Sequence, residues 1–325
     1  MQAILAITLP FFALVLGGWL AARSRLLPEA AVPGLNAYVL YFALPCLLFR
    51  FGAGLPVWQL FNPFVMAVWL PVAVLVVGLT VLGTRSARIG LRDASFGALV
   101  AAFPNSGFMG VPLLAALMGP AATGPVIATV LIDMVFTSSL CIALSQLQGA
   151  GEHGARRAAL RALRGTLANP LGWAILLGGA ASATGLALPA PLAPVARMVA
   201  MLADSATPVA LFTIGAVLWR AGQHAHTRTP LAQYLPVALV KLLLHPLLVW
   251  GACALAQHLG APLSAEQATA LTLAAALPSA SNVALLAERF GADTGRIARI
   301  ILASTALAFA SFTLLAWWFG VQARG

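Results

Sequence analysis

Phe103-Pro104-Asn105-Ser106-Gly107-Phe108-Met109-Gly110-Val111-Pro112 lies inside an apolar run that extends from Ala94 to Leu117. A second apolar run, in the other half of the chain, is interrupted by Ala275-Ala276-Leu277-Pro278-Ser279-Ala280-Ser281-Asn282. A proline inside a helix removes one backbone donor and leaves a carbonyl unpaired. Hydrocarbon tolerates this only where protein or a wet cavity re-satisfies the freed groups. The two segments therefore predict interrupted membrane helices, and their pairing predicts a binding site near the bilayer midplane.

Composition agrees. Of 325 residues 61% are hydrophobic and 8% charged, with mean hydropathy +0.96, too little polar surface for a soluble globule. A formal charge of +10 would suggest nucleic acid in a soluble protein. Here the basic residues sit in short loops, with no basic domain to hold a duplex, so the expected surrounding is a lipid bilayer and no nucleic acid. Cys46, Cys141 and Cys253 lie in apolar runs without Cys-x-x-Cys spacing and read as packing residues, not disulfides or metal ligands. No basic residue precedes the run from Ala3 to Ala22, which reads as a first spanning helix and not a cleavable signal.

About 20 apolar residues are needed to cross about 30 Å of hydrocarbon. Ten such windows fall near Ala3–Ala22, Asn36–Gly52, Phe61–Gly83, Ala94–Leu117, Ala122–Gln146, Leu167–Leu188, Val195–Trp219, Leu231–Gln257, Gln267–Ala287 and Ile297–Gly320. Positive residues concentrate in cytoplasmic loops. With the N-terminus outside, fourteen of the eighteen basic residues, Arg296 among them, fall in inner loops, and outer segments hold only Arg197 and Arg324. One span more or fewer would mix these signs. The expectation is a multi-pass protein of the plasma (bacterial inner) membrane with both termini outside.

The halves also resemble each other. Pro10 and Pro170 are 160 positions apart, Pro45 and Pro208 163, Pro71 and Pro246 175, and Pro104 and Pro278 174. Four matches in order predict a repeat. Five spans is an odd number, so the second copy enters from the opposite side. The expected fold is an all-α integral membrane protein with ten transmembrane helices as a 5+5 inverted repeat, residues 1–146 and 167–325, joined by a cytoplasmic linker at 147–166.

The interruptions carry the candidate chemistry. After Pro104, Asn105 and Ser106 are suited to cap a new half-helix, and Gly107 and Gly110 permit close backbone approach. Ser281 and Asn282 offer the same after Pro278. Two half-helix N-termini would then present free donors and partial positive charge, for which a carboxylate is the natural guest. Ionisable residues inside spans mark function by default. Lys241 could neutralise an anionic substrate or pair with Asp133, and Asp133 and Asp204 are candidate coupling acids. Arg50 reads as snorkelling to the outer interface. His245, before Pro246, reads as a hydrogen-bonded packing histidine, with a proton relay as the alternative.

Phe103-Pro104-Asn105-Ser106-Gly107-Phe108-Met109-Gly110-Val111-Pro112-Leu113, Tyr41-Phe42-Ala43-Leu44-Pro45 and Leu277-Pro278-Ser279-Ala280-Ser281-Asn282 resemble the auxin efflux carrier family of permeases, over essentially the whole chain. The resemblance implies a ten-helix fold in which the broken fourth and ninth helices cross, and transport of small organic anions. Bacterial members are commonly linked to dicarboxylates such as malonate or malate. Plant carriers have a long central loop where this chain has only Leu147 to Thr166, so hormone transport is not implied.

A channel or membrane sensor would use similar spans. A membrane enzyme has less support, because the chain contains no His-Glu-x-x-His, no Gly-x-Ser-x-Gly, no phosphate loop and no cluster of metal ligands, and no cofactor or metal is expected. The inverted repeat favours a carrier with alternating access. A co-transported proton and a homo-oligomer are both compatible with the sequence.

Overall fold

The computed structural model describes residues 1–147, 170–185, 193–223 and 229–321. The expected linker lies almost wholly outside them. In chain order the helices are α1 (Gln2–Arg23), α2 (Glu29–Ala53), α3 (Val57–Thr84), α4 (Leu91–Ala102), α5 (Ser106–Met118), α6 (Pro120–Gln146), α7 (Pro170–Thr184), α8 (Ala193–Gln223), α9 (Leu231–His258), α10 (Ala265–Ala275), α11 (Val283–Arg289) and α12 (Thr294–Trp318). Among the described residues there is no strand. Among the described residues seven helices, α1, α2, α3, α6, α8, α9 and α12, are long and apolar enough to cross a membrane. The other expected windows hold α7, with 15 described residues, and the two interrupted segments, α4 with α5 and α10 with α11.

Local sequence sets several boundaries. Helix α3 breaks at Phe61 and Asn62, and Asn62 accepts hydrogen bonds from the N–H groups of Phe64 and Val65, with Pro63 next in line, an arrangement that restarts the helix at no cost in donors. Ser264 and Gln267 form a reciprocal capping box at the head of α10. Asp293 caps α12 by accepting from Arg296 N–H.

Arg296 therefore lies within the first turn of α12, and not in an inner loop. Its side chain is buried, donating from Nε to Gln233 O at 2.9 Å and from Nη1 to Asp93 O at 2.9 Å. Gly97 of α4 leaves it room, since a Cβ there would come within 2.8 Å of Nη1. One guanidinium thus ties α4, α9 and α12 together. Hydrogen bonds to carbonyls offset part of its desolvation, while Nη2 is buried without a partner.

Helix α4 is buried on every side from Ala94 to Ala102, as expected for a helix apolar all round and lying at a bundle centre. On the flank, helices meet through glycine. A Cβ on Gly18 of α1 would collide with Phe212 O of α8, and one on Gly215 of α8 with Val15 O of α1. A Cβ on Gly178 of α7 would collide with Phe49 O of α2, and one on Gly52 of α2 would reach Ile175 O of α7 at 2.8 Å. Val15 and Ile175, like Gly18 and Gly178, are 160 positions apart, and Phe49 and Phe212, like Gly52 and Gly215, are 163 apart.

Among the described residues four helices contain a five-residue π turn: Val39–Ala43, Ser106–Gly110, Asp133–Thr137 and Val240–Leu244. Such turns often mark functional positions.

Candidate functional site

The helical backbone stops after Ala102 and again after Ala275, and the two extended gaps meet. Pro104 and Ser279 form an isolated antiparallel bridge. Asn105 N–H donates to Pro278 O at 2.8 Å, and Ala280 N–H donates to Phe103 O at 3.0 Å. Backbone groups of the two non-helical gaps thus pair with each other, as low-dielectric surroundings require. Ser304 of α12 accepts from Ser279 N–H at 3.2 Å and donates to Ser279 Oγ at 3.1 Å. Gly110 brings α5 against Leu277, whose Cδ1 would lie 2.6 Å from a Cβ at that position.

The polar side chains here do not cap their helices. Asn105 and Asn282 make no cap hydrogen bond, and Asn105 Oδ1, Ser106 Oγ and Asn282 Oδ1 are buried without a partner. Buried polar atoms without partners are uncommon in native proteins and call for a ligand or other explanation. The amide ends of Asn105 and Asn282 are interchangeable by rotation, so either an acceptor or a donor pair can face a guest. Gly107 follows in the first turn of α5, whose leading N–H groups have no intrahelical acceptor. The second half-helix differs from expectation. Helix α11 is seven residues long, and the N–H groups of Val283 and Ala284 are taken by Ala280 O and Ser281 O, so its contribution is the side chains of Ser281 and Asn282.

Ser281, Asn282 and Phe108 line a small cavity of about 50 Å³. It shares Asn36, Leu40, Val217, Ala284 and Leu285 with a cavity of about 400 Å³ that reaches Tyr41, Arg220, Glu288 and Gly295. Together they form a crevice from the charged ends of α8 and α11 to Phe108, Ser281 and Asn282, a few residues beyond the paired gaps.

Next to the end of α10 lies a buried polar cluster. Asp133 Oδ1 accepts from Trp69 Nε1 at 3.0 Å and Thr137 Oγ1 at 2.8 Å, and its Oδ2 has no partner. Lys241 Nζ donates to Ala275 O, at the end of α10, and lies 3.3 Å from His245 Nδ1. A cation at that position neutralises the negative end of the half-helix. The His245 ring packs on Trp69 with centroids 5.4 Å apart. Asp133 and Lys241 interact electrostatically without forming a direct ion pair. Lys241 thus sits at the end of α10 and outside the lining of either cavity. Asp204 lies elsewhere, paired with Arg50 at 2.6 Å on the exposed edge of α8 and α2.

Sequence reasoning missed Trp69, Thr137, Ser279 and Ser304. Thr137 was detectable as the residue four positions after Asp133, a helical neighbour. The indole and Ser304 come from distant spans, with no local signal.

The membrane transport protein family matches residues 3–317. The chain belongs to this family, that of the auxin efflux carriers. A Rhizobium meliloti (strain 1021) protein, provisionally named a malonate transporter, is 28% identical over 314 residues, 96% of this chain and 95% of its own. The uncharacterized transporter YfdV of Escherichia coli (strain K12) is 26% identical over 312 residues, 93% of this chain and 92% of its own. As a membrane transport protein the chain is a multi-pass transporter of a small molecule; the family and its relatives' names point to transport and not to an enzyme.

Proposed function

We propose that this membrane transport protein is a secondary carrier of a small organic anion, a mono- or dicarboxylate such as malonate or malate, working by alternating access. In this reading the chain crosses the membrane ten times as a 5+5 inverted repeat, residues 1–146 and 167–325, with both termini outside in the plasma membrane. The matched offsets of the glycine contacts support the repeat, because the same four roles recur at 160 and 163 positions.

The substrate sits where the fourth and ninth spans break and cross. Pro104 and Pro278 open the backbone, and Asn105, Ser106, Gly107, Ser281 and Asn282 receive the carboxylate. The observation that carries this is the set of unpartnered polar atoms on Asn105, Ser106 and Asn282, of which Asn282 lines the crevice together with Phe108 and Ser281. Lys241 supplies positive charge from the end of α10, and Asp133, which interacts with it, is the coupling acid that would take up a co-transported proton. Asp204 is left to its ion pair with Arg50. The relative named for malonate favours a short dicarboxylate.

The test is uptake of labelled malonate into liposomes by the wild type and by Asn105→Ala and Asn282→Ala. Each lost hydrogen bond to a charged group is worth about 1.5–3 kcal/mol, so each variant should lose at least about tenfold in uptake. Thermal stability should be unchanged. Saturable uptake with counterflow is expected; normal uptake by both variants would remove the proposal.

A further inference from the structure

A third cavity, of about 440 Å³, lies where α1 and α8 end and α2 begins, and its lining includes Arg23, Arg25, Arg220, Glu29, Trp219 and Gln223. Among the described residues, three guanidiniums and one carboxylate line it. Arg220 Nε and Glu29 Oε1 are 3.5 Å apart, and both residues are substantially exposed. Arg23 stacks on Trp19, 5.1 Å from the ring centroid, and Trp19 meets Trp219 edge-on at 5.3 Å. Leu16, Leu20 and Leu26 are exposed beside this group, so the basic cavity borders an apolar helix face. Tryptophans between an apolar band and a charged rim mark the membrane interface.

Arg25 adds an independent observation. Its φ is +61°, in the left-handed region, where the other positive-φ positions among the described residues are all glycine. A non-glycine side chain there costs about 1–2 kcal/mol. Helix α1 would end at lower cost on glycine; here the strained position carries a guanidinium that lines the cavity.

We propose that this cavity binds the phosphodiester headgroup of an anionic phospholipid. Guanidiniums match phosphate oxygens two at a time, and basic pockets between helices at the cytoplasmic interface hold such headgroups. The exposed leucines accommodate the acyl chains. The site stands apart from the substrate reading; only the choice of leaflet rests on the proposed orientation. Arg220 also lines the crevice that leads to Ser281 and Asn282, so an occupied headgroup site shares a wall with it.

The experiment uses the full-length protein in neutral detergent, titrated with phosphatidylglycerol, phosphatidylcholine or inorganic phosphate and followed by thermal shift. Phosphatidylglycerol alone should raise the midpoint. Arg25→Gly should fold at least as well as the wild type, since it relaxes the backbone, yet bind the lipid about tenfold more weakly. Arg23→Gln should weaken it similarly, and Arg88→Gln, an exposed arginine that does not line the cavity, should not. The proposal is overturned by an unaltered lipid response in Arg25→Gly and Arg23→Gln, by equal stabilisation with phosphatidylcholine or free phosphate, or by an equal loss in Arg88→Gln.

Discussion

Adding one methyl group at Gly18, Gly178, Gly215 or Gly52 probes the flanking helix pairs directly. Each new Cβ would meet backbone of the facing helix, which cannot rotate aside as a side chain can. The helices must separate, and overpacking of this kind costs about 1–3 kcal/mol. Gly52 should be the mildest, because its nearest obstacle lies at 2.8 Å and the other three overlap more deeply. Within one interface the cost is paid once: after Gly18→Ala has parted α1 from α8, Gly215→Ala meets an opened contact. The double variant Gly18→Ala/Gly215→Ala should therefore be less destabilised than the sum of its singles, with a coupling of about 0.5–3 kcal/mol. Gly18→Ala/Gly178→Ala spans both interfaces and should add within about 0.5 kcal/mol. Thermal midpoints of the purified proteins in one detergent measure this. Wild-type midpoints in the single variants, or stronger coupling between the interfaces than within one, would refute the reasoning.

Lys241→Met should lower expression and stability, because it leaves Ala275 O and Asp133 without their cation; adding Asp133→Asn should recover stability but not malonate uptake, read by thermal shift beside liposome transport. Asp204→Asn should shift stability by no more than about 1 kcal/mol and retain uptake, as the Arg50 pair is exposed on both sides. Arg296→Met should destabilise by about 2–3 kcal/mol by stranding Gln233 O and Asp93 O, with uptake per folded molecule preserved.

The interruptions were legible because proline has one physical effect wherever it falls: Pro104 and Pro278 flag missing donors, and the helices do stop beside them. What the side chains of Asn105, Ser106 and Asn282 do was not legible. Folding back to cap a helix and pointing away from it are equally open to the same residue, and the choice is made by the opposite gap, which supplies Pro278 O to Asn105 N–H. The charged residues divide in the same way. Lys241 and His245 sit four apart on one helix, so their contact follows from helical geometry. That Lys241 would reach Ala275 O, and Asp133 the indole of Trp69, depends on packing between spans far apart in sequence. Arg296 misled because a positive charge near a helix end normally faces solvent, whereas Asp293 starts α12 early enough to draw it inward.

The π turn at Val240–Leu244 has a consequence for insertions and deletions. A π turn absorbs one surplus residue locally, and the α-helix on either side keeps its facing. Removing one residue from a regular stretch of α9 would rotate everything beyond it by about 100° and turn its lipid face inward. Removing Leu243 instead should tighten the turn to ordinary α geometry, so that the protein still inserts and packs while Lys241 loses its alignment with the end of α10.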